Sequence, residues 1–350
     1  MRDLQYLSNI GNPDLYSPGL DGLTTSEELY RRLQALELMI DEVSKDKDWI
    51  KEKETGAWFI LNGSELTPRS TMMLGAICGD VAGSVYEHQN THEILSPERL
   101  IRPDTRITDD SVMTLAVADG IRRSLVGLGE NWMKDPRAER VIKEKIRSSL
   151  MMFGRLYPNA GYGGTFRQWI QTLDPQPYYS WGNGSAMRAS YCGWCANTLE
   201  EAECLAELSA AVTHNHREGI MGAKVVAGAI FLLRSGKKKG EILRYVNRFY
   251  RMDFTLAQIR PTYRFDVSCQ GSVPQAIEAF LEGTNFEEVI ALAISIGGDS
   301  DTIAAIAGSL AEVIYPISDR LRHQAVSKMD GIQRKTYQET VDFAFRFSNI

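Results

Sequence analysis

Two short runs of oxygen-bearing side chains stand out as groups that could do chemistry together. Thr108-Asp109-Asp110 lies directly before a strongly apolar stretch, and Asp299-Ser300-Asp301-Thr302, behind Gly297-Gly298, lies directly before another. Either run alone reads as a helix cap, because Thr and Asp are favoured N-caps and acids suit the positive end of a helix. A cap needs one side chain, whereas each run supplies at least three oxygen donors. Four carboxylates drawn together without a cation would repel and take up protons. Magnesium or manganese, hard divalent ions that prefer oxygen ligands, would remove that conflict. Taken together the two runs point to a metal site, with capping as the alternative.

Other candidates are weaker. His214-Asn215-His216 spaces two imidazoles so that they would fall on different sides of a helix, which argues against a shared zinc. Three glycine-rich segments, 161–165, 181–185 and 297–298, could offer backbone N–H groups to a phosphate, although none has P-loop or dinucleotide-fingerprint spacing. Turn formation is the simpler reading of each. Cys192-Gly193-Trp194-Cys195 has C-x-x-C spacing but no second pair, so these thiols are expected to be buried and inert.

The elements that must position these residues read as helices almost throughout. Apolar residues recur at helical spacing from Asp110 onward and over 217–234, 286–296 and 302–315. Period-two alternation is almost absent, with one short extended piece expected at 57–61, so the fold class is all-α. Gly75-x-x-x-Gly79-x-x-x-Gly83 places three glycines along one helix stripe. Asp80 and Glu87 make a membrane dimer face improbable, and the spacing instead predicts a backbone packed very close to a neighbour or ligand. Residues 1–68 are more polar and end in a turn-like Asn62-Gly63-Ser64-Glu65-Leu66-Thr67-Pro68. We therefore divide the chain into an extension, 1–68, entered by a helix near Thr24, and a catalytic domain, 69–350.

Bulk properties narrow the partners. At 350 residues with 43% hydrophobic and 24% charged side chains, the chain can bury a sizeable core. A net charge of −6 does not favour nucleic acid, and Lys237-Lys238-Lys239, the one compact basic run, is expected to be a solvated turn. No apolar stretch is long enough to span a membrane, and the start lacks a signal-peptide layout. Five cysteines, an odd number, fit a reducing cytoplasm better than a disulfide framework.

Five segments occur in an order that resembles the ADP-ribosylglycohydrolase family: Gly79-Asp80-Val81-Ala82-Gly83 with Glu87, Thr108-Asp109-Asp110, Gly182 to Arg188, Thr213-His214-x-His216, and Gly298 to Thr302. The likeness covers about residues 70–345 and leaves out the first 68. It implies an orthogonal bundle of helices with two magnesium or manganese ions at the base of an ADP-ribose cleft. Thr108, Asp109, Asp110, Asp299, Asp301 and Thr302 match the family's metal ligands in type, and Glu87 matches an acid near the metals. Gly163, Gly164, Gly182, Asn183, Gly184, Ser185 and Met187 fall in loops that cradle the ligand, and His216 matches a ligand-side position.

The activity so implied is hydrolysis of the bond joining ADP-ribose to a modified protein. Asp109, Asp110 or Glu87 would orient or deprotonate the water that attacks the anomeric carbon. A metal-free glycosidase using two carboxylates is the competing mechanism. Arginine is the expected linkage and serine the alternative. Some bacterial members resemble immunity proteins, and the apolar and aromatic residues Leu4, Tyr6, Leu7, Ile10, Leu15 and Tyr16 suit an arm that binds an ADP-ribosyltransferase toxin. A non-catalytic ADP-ribose- or toxin-binding protein is the contrasting class. Pure binding would not require so complete a set of oxygen donors.

Overall fold

The structure, a computed structural model, describes residues 71–87, 89 and 91–348. The extension 1–68, its expected helix entry and toxin-binding role, and the extended piece at 57–61 lie outside the described residues.

Among the described residues the chain is all-α. Its fourteen helices are α1 (Leu74–Gly83), α2 (Asp109–Leu128), α3 (Ala138–Leu156), α4 (Gly164–Gln171), α5 (Ser190–Cys195), α6 (Leu199–Ala211), α7 (Arg217–Arg234), α8 (Lys239–Val246), α9 (Leu256–Ile259), α10 (Cys269–Glu282), α11 (Phe286–Ile294), α12 (Ser300–Ile314), α13 (Asp319–Lys328) and α14 (Gly331–Phe347). The only β pairing among them is one antiparallel bridge between Gly182 and Ser268. The helix expected at 217–234 appears with those bounds, while those expected at 286–296 and 302–315 become 286–294 and 300–314.

Helix α12 is the axis of the domain. It is buried from Ser300 to Glu312 and packs against α1, α2, α7, α10 and α11. Its composition explains this: Ala, Ile, Gly and Leu fill every side, so no face is left for solvent. Helix α1 is buried along its whole length and lies on α12 through the glycine stripe. A Cβ at Gly75, Gly79 or Gly83 would fall 2.2 Å from the Gly308 oxygen, 2.1 Å from the Ala304 oxygen or 2.4 Å from the Asp301 Cα. The close neighbour is therefore another helix, and glycine is the residue that lets the two backbones meet.

Glu312 closes the far end of this contact. Its carboxylate accepts the N–H of Met73 (3.0 Å), the N–H of Gly75 (2.7 Å) and the indole N–H of Trp194 (3.2 Å), which caps the start of α1. The lysine run is not a solvated turn throughout: Lys239 is half-buried, donates to the Leu281 and Gly283 carbonyls and lies over the Phe280 and Tyr315 rings. Cys192 and Cys195 are fully buried and unbonded to one another, and burial pushes the Cys195 thiol up to about 12. The expected burial of those thiols is what the structure shows.

Candidate functional site

The first acidic run begins α2. Thr108 takes the cap position and its hydroxyl accepts from the Asp110 N–H, so the capping reading holds for that residue. The second run behaves differently. Asp299 occupies the cap position of α12, yet its side chain makes no capping bond. Its Oδ2 instead accepts a 2.6 Å hydrogen bond from the side-chain amide of Asn183. Gly297 and Gly298 precede it at φ of 73° and 72°, the left-handed region that glycine enters freely. A side chain at Gly298 would also meet the Tyr263 ring at 2.5 Å.

Tertiary packing joins the two runs through a residue outside both. Asp80, on α1, is fully buried. It accepts from the Thr108 N–H (3.1 Å) and hydroxyl (2.6 Å), the Ser111 N–H (3.1 Å) and the Ser111 hydroxyl. The carboxylates of Asp80, Asp110 and Asp301 bring oxygens within 4.8 Å of one another, and so do those of Glu87, Asp299 and Asp301. Asp301 belongs to both groups. Thr302 donates to Asp110 Oδ2 at 3.2 Å, which ties α12 directly to α2.

Electrostatics follow from this crowding. Asp80, Asp110 and Asp301 are each held above the usual carboxylate range, first by burial, with neighbouring carboxylates adding to the effect at Asp110 and Asp301. Asp109 is pushed up to about 8 by burial and then by the charges of Asp80, Asp299 and Glu87. Asp110 Oδ1 is buried and meets no hydrogen-bond donor. A cation is the partner this donor set lacks: it would satisfy the orphaned oxygen and offset the mutual repulsion. The residues present therefore fit divalent metal.

The remaining expected residues divide. Asp109 belongs to neither close carboxylate group; its N–H donates to the Ala160 carbonyl, and a Cβ on Gly161 would lie 2.9 Å from its Oδ1. That places the Gly161–Gly164 loop beside Asp109, with Gly163 and Gly164 exposed and open space where their side chains would be. Asn183 reaches the acids from the other loop and also donates to the Ser272 hydroxyl at 2.9 Å. Ser185 lies behind that loop, fully buried, donating to the Gly219 carbonyl at 2.7 Å, while Met187 is buried with its carbonyl accepting from Thr114. Neither histidine lies within a helix. His216 caps α7 by accepting the Glu218 N–H, against the edges of Tyr179 and Trp181. His214 turns inward to Gly182 and Gly184.

Asp80 is the site residue that the two acidic runs did not reveal. A signal was present: a carboxylate inside an otherwise apolar, glycine-striped helix must be buried with partners.

The fold and this acidic centre together define a class of protein, and comparison with known proteins agrees. The chain belongs to the ADP-ribosylglycohydrolase family, whose model matches residues 70–340. ADP-ribosylarginine hydrolase Tri1 of Pseudomonas putida (strain GB-1) is 26% identical over 286 residues, covering 75% of this chain and 76% of that protein. ADP-ribosylhydrolase ARH3 of Bos taurus is 25% identical over 318 residues, covering 69% and 83%. A solved ADP-ribosylglycohydrolase-related protein complex aligns with a TM-score of 0.56 at 23% identity, covering 80% of this chain and 98% of that one; this likeness concerns the fold. No helix among the described residues is long and apolar enough to cross a membrane.

Proposed function

We propose that this chain hydrolyses the N-glycosidic bond joining ADP-ribose to arginine on a modified protein. The convergence of Asp80, Asp110 and Asp301 with Glu87, Asp299 and Asp301 beside the Asn183 loop carries the reading. Asp80, Glu87, Thr108, Asp110, Asp299, Asp301 and Thr302, with Asp109 at the margin, would hold two divalent cations. When bound, those ions supply Lewis acidity towards substrate hydroxyls and water.

The chain's own groups do the rest. Asn183 holds Asp299 in place, and the exposed backbone of Gly163 and Gly164, with that of Gly182 and Gly184, faces the diphosphate. His216 stands at the rim between Tyr179 and Trp181. Asp109, half-buried beside the Gly161–Gly164 loop, accepts a proton as water adds to the anomeric carbon. The bond from that carbon to the guanidine nitrogen breaks, the nitrogen takes up the proton removed from water, and ADP-ribose leaves while the protein's arginine side chain is restored.

Likeness to the arginine hydrolase supports the linkage. Relatives named ADP-ribosylhydrolase ARH3 match at similar identity and their name specifies no arginine linkage, so an O-linked substrate such as ADP-ribosyl-serine is kept as the second reading. One assay separates them. Arginine- and serine-linked ADP-ribosylated proteins are incubated with the chain, with magnesium or manganese and then with excess EDTA. Release from arginine alone, abolished by EDTA, supports the proposal; release from serine alone overturns the linkage, and full activity in EDTA overturns the role of metal.

Immunity to an ADP-ribosyltransferase toxin is the cellular role we favour for such an activity, with residues 1–68 as the arm that holds the toxin. Its test is a truncation of those residues. Loss of toxin binding with hydrolysis intact supports the arm, and unchanged binding removes it.

A further inference from the structure

The segment that leaves the glycine loop buries a guanidinium without a carboxylate. Arg188 is 1% exposed, and no acid pairs with it among the described residues. Its Nη2 donates to the Ser209 carbonyl at 3.2 Å and to Thr213 Oγ1 at 2.8 Å. Thr213 is itself fully buried, and its hydroxyl also meets His214 Nδ1 at 2.7 Å.

Proton counting decides the direction of this chain. A guanidinium has donors only, so Thr213 Oγ1 must accept from Arg188. The hydroxyl has one proton, and His214 Nδ1 is its remaining partner. Nδ1 therefore accepts, and the ring proton sits on Nε2. In the opposite tautomer Thr213 would accept from both sides, leaving its own hydroxyl proton buried without an acceptor, an arrangement proteins avoid.

His214 Nε2 faces the glycine loop. A Cβ on Gly184 would lie 3.2 Å from it, and one on Gly182 would lie 3.5 Å away. Burial, followed by the Arg188 charge, holds His214 well below the ordinary histidine range, so the ring is neutral. Tyr178, whose ring lies 5.7 Å from the imidazole, is pushed up to about 12 by burial and adds no charge. His216 Nδ1 accepts the Glu218 backbone N–H instead, so among the described residues no arginine or hydroxyl takes part in orienting that ring.

We propose that Arg188 and Thr213 are positioning residues that lock His214 as the neutral Nε2–H tautomer, presenting one fixed donor to an acceptor oxygen of ADP-ribose seated at the Gly182–Ser185 loop. The ligand half of this inference rests on the function proposed above; the tautomer half does not. Fixing the donor beforehand removes a proton rearrangement and the competing acceptor form of the ring from the binding step.

The test is nitrogen-15 NMR of the full chain labelled at its five histidines, with His214 identified by the signal lost in His214→Asn, alongside calorimetric titration with ADP-ribose. The expected spectrum shows a single Nε2–H pattern for His214, unchanged from about pH 5 to pH 8, where free imidazole titrates. Thr213→Val should give mixed or titrating signals and weaken ADP-ribose binding about tenfold, the order of one neutral hydrogen bond. Thr213→Ser should restore both. A wild-type Nδ1–H or mixed pattern overturns the relay, and this result does not depend on the valine variant folding. Wild-type protein that shows the lock but fails to bind ADP-ribose overturns the ligand half and the functional reading with it.

Discussion

Gly79 of α1 meets Ala304 of α12 so closely that a Cβ on Gly79 would lie 2.1 Å from the Ala304 carbonyl oxygen. Asp80 follows Gly79, and Asp301 lies one helical turn before Ala304. The helix contact therefore sets the separation of two carboxylates in the candidate metal centre. Gly79→Ala should force the helices apart, because the obstructing atoms are backbone and cannot rotate away. A loss of about 1–3 kcal/mol is expected from overpacking. Thermal unfolding and calorimetric manganese binding should weaken together; a variant that lost stability yet bound manganese normally would separate packing from the site.

Asp80→Asn should harm the site more than its volume suggests. All four hydrogen bonds to Asp80 come from donors, and an amide nitrogen facing them would replace an acceptor with another donor. Metal affinity should fall about 10–100-fold, as for loss of a group that supports or supplies ligands. Titration of manganese into wild type and variant provides the measurement.

Metal should stabilise the folded chain in proportion to its affinity. At a concentration one hundred times its Kd, manganese would add about 2.7 kcal/mol, provided it binds the folded state alone. A clear rise in Tm on adding metal, reversed by EDTA, is the expected observation. An unchanged Tm across that range would remove the metal centre.

Asn183→Ala should lower kcat/KM on the ADP-ribosylated substrate by about 10–100-fold, since it removes the 2.6 Å hydrogen bond that orients Asp299. Stability should change little beyond the loss of one buried polar contact, so unfolding in urea distinguishes a misaligned site from a damaged fold.

Glu312 gives a pH dependence away from the metal centre. Burial outweighs its hydrogen bonds and raises its carboxyl to about 8. In the unfolded chain it ionises near the ordinary glutamate value, so between the two values the folded state holds the extra proton. Its contribution to stability is therefore full below about pH 4 and is lost as pH rises through about 8. The decline should amount to a few kcal/mol, and Glu312→Gln should flatten it. Urea unfolding at a series of pH values tests the slope; an identical slope in the glutamine variant would remove Glu312 as its source.

Local signals were legible because they act over one turn of helix. Thr108 marks the start of α2 and makes a capping bond. The glycine stripe announced a close approach without naming what approaches. Asp299 looked like another cap until the structure showed its side chain turned to Asn183 instead. Asp80 was hidden for the converse reason: its partners are supplied by a segment distant in sequence, and one carboxylate in a helix has no local pattern.

The sequence by itself determined the all-α class, the approximate starts of α2, α7, α11 and α12, the two acidic runs and the motif order that marks the family, because capping, periodicity and residue type are properties of neighbours along the chain. Tertiary structure alone decided which oxygens share a site, which histidine turns inward, and that Asp80 completes the acids. Those outcomes depend on distances between α1, α2, α12 and the Asn183 loop. Such distances are set by how helices without side chains at Gly75, Gly79 and Gly83 can pack, rather than by the order of residues along any one of them.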